Sequence, residues 1–347
     1  MLVSRLMRQR GVCMASTTST RPVPTAEQRR RMYELMTLMK LTDDRLAKGI
    51  GSGEFAGVYW PHRGQEAVAA ALGAVLRPSD QLVTTYRGLH DHIGKGVPVS
   101  AILAELLGKE TAPGKGKGGT SHLAYPEAGS MLSTGIVGAG LPIAVGLALS
   151  ARQQGLDRVT VVSFGDGATN TGSFHEAVNM AAVLDVPVVF VCQNNLYGEK
   201  TPVERTMKVS TVAERAAAYG FPGLRCDGND PDALFATLSE AVDRTRSGGG
   251  PALVECVTFR FRGHSFGDSQ SYMPKERLAS AQERDPVPAY RRRLLGAGVC
   301  DEPDLAEIEA GAVAAVEEAV RVCASAPAPS PETLRDHVYA DDRGMPA

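Results

Sequence analysis

Two short apolar runs, one helix-length apart, constrain this chain more than any other feature. Arg158-Val-Thr-Val-Val-Ser-Phe164 and Val186-Pro-Val-Val-Phe-Val-Cys192 are rich in β-branched residues and nearly free of charge. Such runs read as strands buried on both faces, the kind found in parallel sheets. Between them, Gly172 to Leu184 is helix-like. The three segments form a βαβ unit, whose strands run parallel with a right-handed crossover.

The unit places Gly165-Asp-Gly167 and Asn194-Asn195 at the carboxyl ends of adjacent strands. Open α/β sheets bind ligands there. The Asp166 carboxylate and the Asn195 amide oxygen make a hard-oxygen half-site, suited to a Mg²⁺ ion that also holds a diphosphate. The fold class expected is α/β, a mostly parallel central sheet with helices on both faces.

A chain of 347 residues has room for a sizeable core. Its formal net charge of −2 gives no footprint for nucleic acid or an anionic membrane. The six cysteines are scattered without a CxxC pair, as in reduced intracellular proteins. Ile136 to Ala151 is an uncharged, glycine-containing stretch too short to span a bilayer; it is expected as a buried helix starting near Leu141-Pro142. Residues 1–24 form a basic, acid-free leader, readable as a mitochondrial transit peptide or as a disordered bacterial leader. The latter, with a cytoplasmic location, suits the Ala-, Arg- and Gly-rich composition. The main domain is expected over 25–323, followed by a Pro-rich tail, 324–347.

Along the chain, Thr25 and Gln28 form a capping box for a first helix ending before Gly51. A second helix runs from Gly64 to Leu76, and Gln81–Thr85 is a short strand. Helices are expected over Val99–Leu107, Ser210–Tyr219, Pro231–Arg246, from Pro288 and over Asp304–Cys323, with a strand at Ala252–Phe259. Pro113 to Gly119 must be a loop, and polar Arg260 to Pro286 is expected as a mobile one. Two nucleotide-loop readings fail on spacing. Gly138-Ala-Gly140 is interrupted by Pro142, and the Gly108–Lys115 stretch has one residue too many and lacks the metal-binding Ser/Thr.

With these segments placed, roughly residues 28 to 340 resemble the alpha subunit of the thiamine-diphosphate-dependent decarboxylating component of 2-oxo acid dehydrogenase complexes, a group that includes pyruvate, branched-chain 2-oxo acid and acetoin dehydrogenases. The matching segments fall in family order. They are Gly64-Gln-Glu-Ala67, Tyr86-Arg-Gly88, Ile102-Leu-Ala-Glu-Leu106, Gly116-Lys-Gly-Gly119, Gly135-Ile-Val-Gly138, Gly165-Asp-Gly-Ala168, Asn194-Asn195 and Gly263-His-Ser265.

The resemblance implies thiamine diphosphate and Mg²⁺ as cofactors. Asp166, Asn195 and the Tyr197 carbonyl would bind the metal. Tyr86 and Arg87 would contact the diphosphate, a task for which a guanidinium fork is suited. Gly135 and Val137 would lie against the aminopyrimidine, and Gly165, Gly167 and Ala168 would supply backbone to the diphosphate at the start of the next helix. His264 and His90 are the catalytic candidates. No Glu here sits in the motif that activates the cofactor, so a separate beta subunit would supply it, in an α2β2 heterotetramer. A lipoyl-bearing acyltransferase would take the acyl group from a small 2-oxo acid or acetoin.

Two positions depart from the pyruvate-type pattern. Trp60 stands where a His usually precedes the Gly-Gln-Glu-Ala segment, and Leu89 replaces the His of Tyr-Arg-x-His; His62, His90 and His92 lie nearby, and a one- or two-residue shift would restore the pattern. The Gly267-Asp-x-Gln270-x-Tyr272 loop is closer to acetoin-type subunits. An acyloin-forming carboligase and a non-catalytic scaffold are the competing expectations.

Overall fold

The computed structural model describes residues 21–336; all but four residues of the expected leader, and the end of the tail, lie outside the described residues. Six parallel strands form the central sheet: β1 (Gln81–Thr85), β2 (Ser130–Thr134), β3 (Thr160–Gly165), β4 (Val188–Asn194), β7 (Gly223–Asp227) and β8 (Ala252–Val257), in the order β2-β1-β3-β4-β8-β7. A two-residue pair, β5 (Tyr197–Gly198) and β6 (Thr201–Pro202), makes a small antiparallel hairpin beyond β4.

The helices are α1 (Ala26–Ser52), α2 (Glu66–Val75), α3 (Leu89–Gly94), α4 (Val99–Leu106), α5 (Gly140–Gln153), α6 (Gly172–Leu184), α7 (Pro231–Arg246), α8 (Lys275–Glu283), α9 (Pro286–Gly296) and α10 (Glu302–Ser325). The α1 capping box is present, with the Thr25 hydroxyl accepting from the Gln28 N–H. A second capping box, Asp301 with Asp304, starts α10.

Strand alternation sends neighbouring residues to opposite faces. Val161, Val189, Val191 and Val254 pack under α1, α2, α7 and α10; Val162, Phe164, Val188 and Phe190 pack under α5 and α6. Full burial of each such side chain contributes about 1.5–3 kcal/mol, enough in sum to hold the strand ends in fixed register.

Several expectations need correction. The polar stretch after Arg260 is not structureless: it contains α8 and a hydrogen-bonded turn around Asp268. The segment from Ile136 to Ala151 is not wholly buried, because Ile136, Val137 and Ile143 are exposed. The helix expected over Ser210–Tyr219 starts later, as a 3₁₀ helix over Ala213–Tyr219. The helix ending the main domain runs on to Ser325, and the following residues fold back: the Glu110 N–H donates to the Pro327 carbonyl at 3.0 Å. No helix among the described residues is long and apolar enough to cross a membrane.

Candidate active site

The chain leaves β1 towards one sheet edge, to β2, and returns across β1 to reach β3. That reversal opens a crevice beyond the carboxyl ends of β1 and β3. A cavity of about 710 Å³ occupies it. Its walls come from the ends of β1 (Tyr86, Arg87), β2 (Gly135, Val137), β3 (Gly165, Asp166, Gly167, Ala168) and β4 (Asn195), from β5 (Tyr197) and from the loop after β8 (His264). Every site residue expected from the sequence is there except His90.

Asp166 is 1 % exposed, yet neither carboxylate oxygen has a hydrogen-bond partner among the described residues. Burial pushes its carboxyl up to about 6. An unpartnered buried carboxylate is costly, so the site is built for a cation to arrive. The Asn195 amide is oriented from both ends. Its Nδ2 donates to Gln65 Oε1 at 3.0 Å, and its Oδ1 accepts from the Tyr197 N–H at 3.3 Å. Between them Leu196 adopts φ 71°, a left-handed conformation unusual for a side chain of that size. Asn194 is anchored one layer deeper, donating to the buried Glu255 carboxylate at 2.7 Å. No three His, Cys, Asp or Glu side chains converge as a metal cluster among the described residues. One carboxylate, one amide oxygen and one carbonyl would suffice for Mg²⁺ when diphosphate oxygens complete the shell.

The glycines test the fit independently. A Cβ on Gly165 would meet nothing within 4 Å, and one on Gly135 would reach only ordinary contact distance, 3.5 Å from Ser121. Protein packing does not demand glycine at either position, and both face the cavity. Gly167 differs, since its Cβ would stand 3.2 Å from the Gly198 backbone. The turn after β3 is a 3₁₀ helix, Asp166–Asn170, with α6 starting only after its Thr171 cap, so Gly167 and Ala168 present backbone from that turn rather than from the α-helix expected.

The opposite wall is cationic. The Arg87 guanidinium donates to the Pro61 carbonyl and, at 2.7 Å, to the His264 carbonyl. Burial, together with Arg260, lowers its pKa to about 10, leaving it charged at neutral pH. Arg260 is 1 % exposed and also lines the cavity, donating to the Glu199 carbonyl at 2.8 Å and to Tyr272 Oη at 2.8 Å. Burial, then Arg87 and Arg260, lower the His264 imidazole to about 4, so it is neutral. Two facing guanidiniums that repel each other and a neutral His favour a multiply charged anion. The sequence reading missed Arg260 and Gln65. The signal was present for Arg260, which follows the β8 run between Phe259 and Phe261, and for Gln65, inside the quoted Gly64–Ala67 segment.

The Asp268-x-Gln-x-Tyr272 pattern also acquires a physical role. One Asp268 oxygen accepts from the His264 N–H at 2.8 Å and from Tyr272 Oη at 2.9 Å; the other accepts from the Gln270 N–H at 3.0 Å. The loop is thereby closed on itself with its histidine directed at the cavity.

His90 is turned away. As the second residue of α3 it is buried behind the wall, its ring 5.0 Å from that of His62 and its Nε2 4.0 Å from Asp43. His62 does the positioning instead: its Nε2 accepts from the Leu89 N–H at 2.9 Å while Nδ1 faces the Asp43 carboxylate at 3.5 Å. With Nε2 occupied as an acceptor in a buried setting, His62 is neutral, and burial lowers its pKa accordingly. Trp60 lines the cavity with its ring 5.0 Å from Tyr86, in an edge-on arrangement.

A doubly wound α/β protein with an anion-favouring cavity and one unpaired carboxylate is the class that fold and site define. The profile of the dehydrogenase E1 component family matches residues 33–332, and the chain belongs to that family as an alpha-type subunit. It is 40 % identical over 317 residues, 91 % of this chain and 94 % of the relative, to the alpha subunit of acetoin:2,6-dichlorophenolindophenol oxidoreductase of Bacillus subtilis. It is 36 % identical over 336 residues to the chloroplastic pyruvate dehydrogenase E1 component subunit alpha-3 of Arabidopsis thaliana, covering 95 % of this chain and 78 % of that one. With the pyruvate dehydrogenase E1 alpha subunit of Rickettsia bellii it shares 34 % over 316 residues, 91 % of this chain and 97 % of the relative. The family depends on thiamine diphosphate, and its alpha subunits work in heteromeric complexes.

Proposed function

We propose that this chain is the alpha half of a thiamine-diphosphate- and Mg²⁺-dependent dehydrogenase that decarboxylates a 2-oxo acid or cleaves acetoin and passes the acyl group to a lipoyl carrier. The observation that carries this reading is the Asp166 carboxylate, buried without a partner in the same cavity as Arg87 and Arg260. Asp166, the Asn195 amide oxygen and the Tyr197 carbonyl hold the metal. Arg87, Tyr86 and the backbone of Gly165 to Ala168 receive the diphosphate, and Gly135 and Val137 lie against the aminopyrimidine. When bound, the cofactor supplies a nucleophilic carbon and an electron sink for bond cleavage next to a carbonyl. The neutral His264 reaches the reacting end of the cavity and can donate or accept a proton there.

The acids lining the cavity, among the described residues, are Asp166 and Glu199. Asp166 is committed to the metal, and Glu199 sits in the turn of the β5–β6 hairpin, its carbonyl accepting from Arg260. A beta subunit therefore brings the carboxyl group that activates the cofactor, within an α2β2 assembly, and the chain alone is inactive. The relatives named for acetoin and for pyruvate support the two substrate classes without separating them.

The test is co-purification with a beta subunit followed by assays with pyruvate, branched-chain 2-oxo acids and acetoin, reading lipoyl reduction and dichlorophenolindophenol reduction. Turnover of any of them only with both chains and Mg²⁺ supports the reading. Acyloin product without lipoyl or dye reduction would instead favour a carboligase, and failure to bind thiamine diphosphate would favour a scaffold.

A further inference from the structure

Two thiols face each other at the far edge of the sheet, away from the cavity. Cys226 on β7 and Cys256 on β8 are direct register partners, with their sulfurs 3.9 Å apart. Neighbouring strands stand roughly 4.8 Å apart, inside the range of about 4.4–6.8 Å between Cα atoms that a disulfide spans. Paired residues on adjacent strands project to the same face, so closure requires side-chain rotation rather than backbone displacement. Cys192, on the next strand, belongs to the core on the opposite face and does not compete.

The two thiols are unequal. Cys256 is fully buried, whereas Cys226 is partly exposed and lines a surface hollow of about 380 Å³ with Arg225, Asp227, Val257 and Arg284. Contact with the Cys256 thiol holds Cys226 below the usual thiol value, and the same contact, with burial, holds Cys256 well above it. One accessible, more acidic thiol backed by a sheltered partner is the layout of an attacking and a resolving cysteine.

We infer that Cys226 and Cys256 form an oxidation site for hydrogen peroxide, reversed by a dithiol reductant. The Cys226 sulfur attacks one peroxide oxygen and the O–O bond breaks; the other oxygen leaves as water, and Cys226 becomes a sulfenic acid. The Cys256 sulfur then displaces the hydroxyl as a second water and forms the disulfide. Both thiol protons end in the two waters, and two electrons pass from the thiols to the peroxide.

The experiment treats the reduced full-length chain with a small excess of hydrogen peroxide and maps cysteines by non-reducing digestion and mass spectrometry. The expected product is a Cys226–Cys256 disulfide that dithiothreitol reverses, with little dimedone adduct. Cys256→Ser should instead leave Cys226 trapped by dimedone, and Cys226→Ser should give neither product. Wild-type chain that keeps both thiols free, or that accumulates dimedone-labelled or sulfinic Cys226 without the disulfide, overturns the inference. The wild-type map stands alone, so it decides the matter even if a serine variant folds poorly.

Discussion

Asn195 Nδ2 donates to Gln65 Oε1 at 3.0 Å, a bond between the end of β4 and the residue that precedes α2, 130 positions away in sequence. Asn195 lines the cavity, and its Oδ1 accepts from the Tyr197 N–H. Partners one step behind a metal ligand set its orientation, and their loss costs about 10–100-fold in metal affinity. Gln65→Leu should accordingly weaken Mg²⁺ activation of the assembled enzyme by at least ~10-fold, with circular dichroism unchanged. An unaltered Mg²⁺ titration would remove Gln65 from the site.

Asp166 couples the site to stability. Its pKa rises from 3.8 unfolded to about 6 folded, so between those values the folded chain binds more protons than the unfolded one. Stability from this group is therefore lost as pH rises through that window, with the full penalty, about 3 kcal/mol, present above pH 6. In metal-free buffer at pH 7.5, Asp166→Asn should melt higher than wild type, and the gap should shrink towards pH 4. The same variant should lose Mg²⁺-dependent binding of thiamine diphosphate in calorimetry. A stability gap independent of pH would contradict the buried, unpaired state of this carboxylate.

His264 is held to about 4 by burial and by Arg87 and Arg260. It is neutral throughout the range in which such an enzyme would be assayed, so its ionisation should leave no inflection in kcat/KM between pH 5.5 and 8. His264→Ala in the assembled enzyme should lower kcat by about 100-fold or more, the usual worth of a positioned proton-transfer group. Loss confined to KM, with kcat intact, would make His264 a binding residue only.

Much of this site was legible because its strands are central. β3 and β4 are flanked on both sides and covered on both faces, so their sequences are continuous apolar runs and the polar residues ending them stand out. The edge strands gave no such signal. β7, Gly-Leu-Arg-Cys-Asp, alternates between exposed and half-buried, and β2 opens on Ser130 and ends on Thr134. A strand with one free edge has less apolar surface to hide, and its sequence resembles a loop. His90 misled for a related reason. Two residues decide whether a histidine after β1 faces the cavity or the core, and α3, six residues long and without a side-chain cap, carries no sequence mark of its start. Gln65 and Arg260 lie far from Asp166 in sequence and meet it only through the sheet.

Trp60 is the residue most able to tune the substrate. It lines the main cavity and also a space of about 20 Å³ behind it, where Leu89, Ile102, Leu106 and Leu123 share the wall with His62, His92 and Thr120. The indole therefore stands between the main cavity and a small recess lined by both aliphatic and polar side chains, Leu89 among them. Trp60→Ala should join the two and admit a longer aliphatic chain. One extra methylene in an apolar pocket is worth about 1–3 kcal/mol in transition-state binding. Relative kcat/KM for 2-oxo acids one or two carbons longer than pyruvate should then rise about 10-fold against pyruvate itself, measured in competition on the assembled enzyme. Equal losses across all chain lengths would mean that Trp60 only packs against Tyr86 and that another wall sets the length limit.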